Sequence, residues 1–204
     1  MFRGFGAVVV AWFLFTSMAL AQSRSDVSIN AFGSFVTQSS GQQVTLAPTT
    51  SAGFLATYRH ALKQRHALEL NYAFTRNSQN YTLTDLSGNQ SLNSIRSSVH
   101  EATADYVFTP RKSARLSPFL LAGGGALIFS PVNNSNNTAL GAATEAKGVF
   151  LYGGGADCRL LHNIALRLQY RGLVYQAPDF NIFGYSTGSW QHTAEPSAGV
   201  VYRF

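Results

Sequence analysis

The alternation of side chains close to residue 204 constrains the fold of this chain more than any other sequence feature. Every second residue there is apolar and suits contact with lipid: Pro196, Ala198, Val200, Tyr202 and Phe204. The residues between them, from Glu195 to Arg203, are mostly small or charged. A period of two predicts a β-strand with two unlike faces. Chain ends usually fray into polar residues, so the aromatic ending predicts that this strand is held in a sheet.

The same alternation recurs along the chain and predicts eight strands. Polar and turn-forming residues separate the alternating segments, and no helical period of comparable strength is present. An even number of consecutive antiparallel strands can close into an up-and-down barrel. The expected strands are residues 26–38, 51–60, 66–76, 94–109, 118–129, 149–160, 164–174 and 192–204.

The connections between these segments alternate between long and short. The long ones are residues 39–50, 77–93, 130–147 and 175–191, and the short ones are 61–65, 110–117 and 161–163. Transmembrane barrels have short periplasmic turns and longer extracellular loops. A soluble lipocalin-like barrel also has eight such strands but turns its apolar face inward, around a ligand. The aromatic residues close to the strand ends favour an apolar face directed outward, where aromatic girdles lie.

The first residues have the pattern of an export signal. Arg3 precedes an apolar run from Phe5 to Leu20, and Ala19-Leu20-Ala21 is a small-x-small cleavage site. We therefore expect a signal peptide over residues 1–21 and a single barrel domain over residues 22–204. Charged residues make up 12% of the chain, about half the usual share. The net charge of +6 comes without a basic run interleaved with aromatic residues, so nucleic acid is not an expected partner.

Several stretches resemble the small OmpA/OmpX-type eight-stranded barrels of the bacterial outer membrane. Residues Phe150 to Leu160, followed by Ala165 to Arg171, are similar to the penultimate hairpin of that family, and Pro118 to Gly125 to its fifth strand. The resemblance implies an all-β, eight-stranded antiparallel transmembrane barrel in the bacterial outer membrane, reached by Sec-type export. It also implies that Tyr202 and Phe204 are read by the barrel-assembly machinery. Outer-membrane lipids and lipopolysaccharide are then the expected surroundings.

An outward apolar face would direct ten charged side chains into the lumen. Five are acidic and five are arginines, and a lumen of low dielectric requires such charges to be paired. A three-residue turn at residues 161–163 would place Asp157 opposite Arg167. The alternative is that these charges alternate with apolar residues on a wet outer surface. The expected lumen residues are Arg59, Glu69, Glu101, Asp105, Asp157, Arg159, Arg167, Arg171, Glu195 and Arg203.

No motif in the sequence predicts catalysis, a metal or a cofactor. The triplets Gly123–Gly125 and Gly153–Gly155 lack the spacing of a phosphate-binding loop. The five histidines form no His-x-x-x-His pair. A lipid hydrolase would need Ser, His and an acid close together. Ser189, His192 and Glu195 come nearest to that in sequence, although Glu195 should face the lumen and His192 the lipid.

The long loops offer the best candidates for interaction. One of them holds more apolar residues than solubility requires: Phe180, Ile182, Phe183, Tyr185 and Trp190. Exposed apolar clusters often mark contact sites, and the alternative is that these residues pack against a neighbouring loop or the membrane interface. We expect a non-enzymatic barrel that acts as a structural anchor or binds an extracellular ligand in the manner of an adhesin. The alternatives are a lipid-modifying deacylase or acyltransferase, and a narrow gated channel.

Overall fold

The structure is a computed structural model that describes residues 25–85, 87–111 and 115–204. The predicted signal peptide, residues 1–21, lies outside the described residues. The described residues form ten strands and one short helix: β1 Ser25–Val36, β2 Ser39–Gly41, β3 Val44–Pro48, β4 Ser51–Lys63, β5 His66–Thr84, β6 Gln90–Phe108, β7 Leu116–Pro131, α1 Ser135–Ala139, β8 Glu145–Arg159, β9 Ile164–Gln176 and β10 Trp190–Arg203. In the part of the chain that is described, no helix has the length and hydropathy needed to cross a membrane.

Eight of these strands form a closed antiparallel barrel. β4 to β10 pair in chain order, and β1 pairs with β4 on one side and with β10 on the other. The closing pair places Val27 opposite Tyr202 and Ala31 opposite Ala198. Because β1 and β10 pair, the barrel has no free edge, which is the condition for strands to cross hydrocarbon. The predicted eight-stranded antiparallel barrel is confirmed.

The first two long connections contain more β-structure than the sequence pattern predicted. β5 and β6 stay paired up to Thr84 and Gln90, so most of the predicted connection over residues 77–93 is strand. Within the first loop, β2 and β3 form a hairpin, and β3 pairs with β5, with Leu46 opposite Tyr81. The lipid-facing pattern ends at Arg76 because the strands continue into water, and backbone pairing needs no apolar outer face there.

The two faces of the barrel strands differ as the alternation predicted. Ile29, Leu70 and Leu168 point outward and are 72%, 58% and 57% exposed in the absence of lipid. The inward residues of the same strands, such as Ser28, Glu69 and Arg167, are buried. A belt of exposed apolar side chains around a buried polar interior is the reverse of a soluble protein, and it is typical of a barrel with lipid outside.

The lumen itself changes in character from one end to the other. The buried charges extend from the short turns to the middle of the barrel strands, whereas Val99, Phe129, Leu173 and Tyr175 fill the lumen towards the long loops. The inward glycines let β7 and β8 approach their neighbours closely: a Cβ on Gly125 would collide with the carbonyl oxygen of Ala102. The glycine triplets therefore serve strand packing.

Candidate functional site

A cluster of charged side chains lies in the lumen around Arg167. Its guanidinium donates two hydrogen bonds to Asp157, from Nε at 2.7 Å and from Nη2 at 3.1 Å. It also lies 3.3 Å from an oxygen of Asp26 and 3.5 Å from an oxygen of Glu69. Arg167 and Asp157 are register partners across the β8–β9 hairpin, which confirms the pairing that the three-residue turn predicted.

Two more arginines complete this cluster. Arg59 donates from Nε to Glu69 at 2.6 Å, and Arg203 donates from Nη2 to Asp157 at 2.9 Å. The ring of Phe119 lies 4.3 Å from the guanidinium of Arg59 and 5.2 Å from that of Arg167. Cations are stabilised over an aromatic face, and more so where water is excluded.

Asp26 belongs to this cluster, although sequence reasoning did not assign it to the lumen. It occupies an even position of β1, as do the buried residues Ser28 and Asn30. The alternation already contained that signal, because residue 26 has the same parity as these two lumen residues. With Asp26, three acids face three arginines: Asp26, Glu69 and Asp157 with Arg59, Arg167 and Arg203.

A second group lies higher in the lumen. Arg171 is fully buried, forms an ion pair with Glu101 and lies 3.7 Å from an oxygen of Glu195. Asp105, the register partner of Glu69, accepts a hydrogen bond of 2.5 Å from the side-chain amide of Asn71. Charges buried in this way are stable only when their partners stay in place, so the two groups hold β1, β4, β5, β6, β8, β9 and β10 together from inside.

The loop before β10 closes the lumen at the long-loop end. Phe180 is fully buried and meets the rings of Tyr81 and Phe129 edge to face, and Tyr185 packs on Tyr81 with ring centroids 4.9 Å apart. The Tyr81 hydroxyl donates to the carbonyl of Pro178 at 2.7 Å. We call Tyr81, Phe129, Phe180 and Tyr185 the aromatic plug. Burial raises the pKa of the Tyr185 hydroxyl.

The aromatic plug corrects part of the predicted contact set. Phe180 and Tyr185 were expected as possible contact residues, but burial removes them from the surface, and Ile182 is partly buried against the same core. The carboxylate of Glu145 accepts the backbone N–H groups of Asp179 and Phe180, both at 2.8 Å, which fixes the loop over the lumen. Phe183 is fully exposed and Trp190 is 64% exposed, so these two remain on the surface.

At the short-turn end the lumen opens into a cavity of about 520 Å³, which we call the vestibule. Its wall includes Arg59, Arg65, Arg159, Arg203, His162 and Phe204. Arg159 was expected among the paired lumen charges. It lines the mouth instead, is exposed, and has no ion-pair partner among the described residues. Its place at the last position of β8, where the strand leaves the barrel, is the physical reason.

Ser189, His192 and Glu195, which come nearest in sequence to a hydrolytic trio, do not come together in the structure. The imidazole Nε2 of His192 lies 2.9 Å from the Tyr152 hydroxyl on the outer face. The Ser189 hydroxyl donates to the carbonyl of Ser40, and Glu195 lies inside the lumen beside Arg171. No group of three or more His, Cys, Asp or Glu side chains suited to a metal ion is found in the described part of the chain.

Comparison with known proteins shows the fold of this chain but does not identify its function. No family model matches the sequence, and no curated protein matches it. Among solved structures, Neisserial surface protein A superposes with a TM-score of 0.60 at 12% identity, over 88% of this chain and 97% of that one. Ail, the attachment invasion locus protein of Yersinia pestis, in complex with the heparin analogue sucrose octasulfate, gives 0.55 at 18% identity, over 89% and 99%.

These similarities confirm the architecture that the sequence resemblance implied. The chain has the fold of the small eight-stranded barrels of the OmpA/OmpX type. That fold and the apolar outer belt agree with the predicted location in the bacterial outer membrane.

Proposed function

We propose that this protein is a non-enzymatic outer-membrane barrel that anchors an interaction surface outside the cell. The proposal rests on one contrast: side chains fill the lumen near the long loops, whereas additional β-structure extends beyond the barrel at the same end. β2, β3 and the upper halves of β5 and β6 form an ordered sheet that continues past the barrel strands. Side chains of the kind used in binding are exposed at this end.

The lumen supports an anchor better than a channel. The aromatic plug and the apolar core beneath it fill the space that ions would have to cross. Removing a fully buried Phe from such a core typically costs about 3–5 kcal/mol. Moving Phe180 out of the lumen to open a path for ions would therefore be strongly unfavourable. We therefore expect no ion steps from the purified barrel in a planar bilayer.

The exposed residues suggest what the outer end meets. Phe183, Trp190 and Leu92 are apolar and open, and aromatic residues are enriched in binding hot spots. Arg76 and Arg96 are exposed on the outer face of β5 and β6, where Arg76 pairs with Ser98 and Arg96 with Ser78. These positions are diagonal neighbours on one face. The two arginines suit the phosphates of lipopolysaccharide, and the apolar group suits an extracellular ligand.

A display experiment tests the interaction. Bacteria carrying the wild-type barrel should attach to a layer of cultured host cells more than bacteria without it. The double change Phe183→Ser with Trp190→Ser should remove most of the gain, because it takes away the exposed aromatic contacts. The matched control is Leu160→Ser with Leu161→Ser, which alters two exposed apolar residues at the opposite end. Equal attachment by all four strains, or clear ion conductance by the wild type, would contradict the proposal.

The assembly step is part of the same proposal. Tyr202 and Phe204 lie on the outer face with stacked rings at a centroid distance of 6.3 Å. This pair would be accessible to the barrel-assembly machinery before the barrel closes, because both side chains stay outside the lumen. Contact with lipid would replace that contact after insertion.

A further inference from the structure

We propose that the vestibule is a binding site for a small organic anion that enters from the periplasmic side and carries two or more carboxylate or phosphate groups. Such a site is independent of the outer surface, since the aromatic plug separates the two ends. Four members of the cluster around Arg167 line the vestibule: Asp26, Arg59, Asp157 and Arg203.

The size of the vestibule fits a small ligand. Its volume of about 520 Å³ lies within the range of about 300–1,000 Å³ that is usual for ligand pockets. Hydroxyl and amide side chains on its wall, those of Thr109, Ser117 and Asn163, can donate hydrogen bonds. The ring of Phe119 adds an apolar part to the wall. Polar donors grouped beside apolar surface favour an organic anion over a bare inorganic ion.

The charge of the wall selects an anion. Four arginines line the cavity, Arg59, Arg65, Arg159 and Arg203, against two acids, Asp26 and Asp157. Both acids are already engaged: Asp157 binds Arg167 and Arg203, and Asp26 lies beside Arg167. Four positive charges against two negative ones leave an excess of two.

Arg65 and Arg159 provide that excess. Both side chains are exposed at the mouth, and within the described residues neither forms an ion pair. A cleft of one sign with low-dielectric walls focuses the field and concentrates counter-ions. A guanidinium also recognises carboxylate and phosphate through two parallel hydrogen bonds. The two free arginines are therefore the specificity-determining residues of the site.

Calorimetric titration of the folded barrel with citrate tests the site. We expect saturable binding at one site per barrel, and we expect Arg65→Gln and Arg159→Gln each to weaken it at least about fivefold. Since neither arginine has an ion-pair partner to lose, both variants should fold. The matched control is Arg96→Gln, which removes the same charge from the outer end and should change binding less than twofold. Asn163→Glu should abolish binding by placing a carboxylate in the wall.

Repeating the titration in nanodiscs separates two sources of the anion. Citrate binding that persists in both phosphatidylcholine and phosphatidylglycerol discs supports a soluble periplasmic anion. Binding that is lost only in phosphatidylglycerol supports an anionic lipid headgroup in the same site. The proposal is overturned if citrate gives no saturable binding. It is also overturned if Arg96→Gln weakens binding as much as Arg159→Gln does, because binding would then depend only on the net charge of the barrel.

Discussion

Replacing Arg167 with Gln should destabilise the barrel more than almost any other single change of charge. The guanidinium lies within 3.5 Å of oxygens from three carboxylates, Asp26, Glu69 and Asp157, and it is fully buried. Glutamine retains a hydrogen-bonding group but loses the positive charge. Three acids would then face two arginines, Arg59 and Arg203, where the wild type has three of each.

The magnitude follows from that imbalance. Removing one partner of a buried ion pair typically costs about 3–5 kcal/mol, because a charge is left without compensation. Arg59 already lies 3.7 Å from Asp157 and can take over part of the interaction. We therefore expect Arg167→Gln to lower the free energy of unfolding by about 3 kcal/mol, at the lower end of that range.

Reversible urea unfolding of the barrel in lipid vesicles, followed by tryptophan fluorescence, measures this loss. The double variant Arg167→Gln with Asp157→Asn removes one charge of each sign and should regain about 1–3 kcal/mol relative to the sum of the single changes. Arg65→Gln, on an exposed turn, should stay within about 0.5 kcal/mol of wild type. A loss below about 1 kcal/mol for Arg167→Gln, or strict additivity in the double variant, would refute the argument from charge balance.

Two further changes test the faces and the assembly of the barrel. Leu168→Arg places a charge on the lipid face near the bilayer midplane and should lower the free energy of unfolding by about 2–4 kcal/mol. Leu92→Arg, on the extension beyond the barrel, should leave the free energy of unfolding close to the wild-type value in the same measurement. Phe204→Lys should reduce the amount of heat-modifiable barrel in outer-membrane fractions without reducing export, because the predicted signal peptide and the predicted assembly signal would act at different steps. Phe183→Lys on the outer loop should assemble normally, and equal outer-membrane levels of the two variants would contradict an assembly role for Phe204.

The sequence alone determined the barrel. A period of two depends on local backbone geometry, so the alternation around Leu168 and Val200 placed residues on the correct faces without any knowledge of their neighbours. The length of the turn at residues 161–163 fixed the hairpin register, and with it the opposition of Asp157 and Arg167. Turn and alternation are both properties of consecutive residues, which is why they could be read directly.

Tertiary structure decided which of these residues act together. Asp26 and Arg167 are 141 residues apart and meet only because β1 closes on β10. The same closure leaves Arg159 at the open mouth, while Phe180 folds over the lumen and Phe183, three residues later, stays in solvent. Loop residues have no period that fixes the direction of a side chain. Their burial depends on long-range contacts such as that between Phe180 and Tyr81, which form only once the whole barrel is assembled.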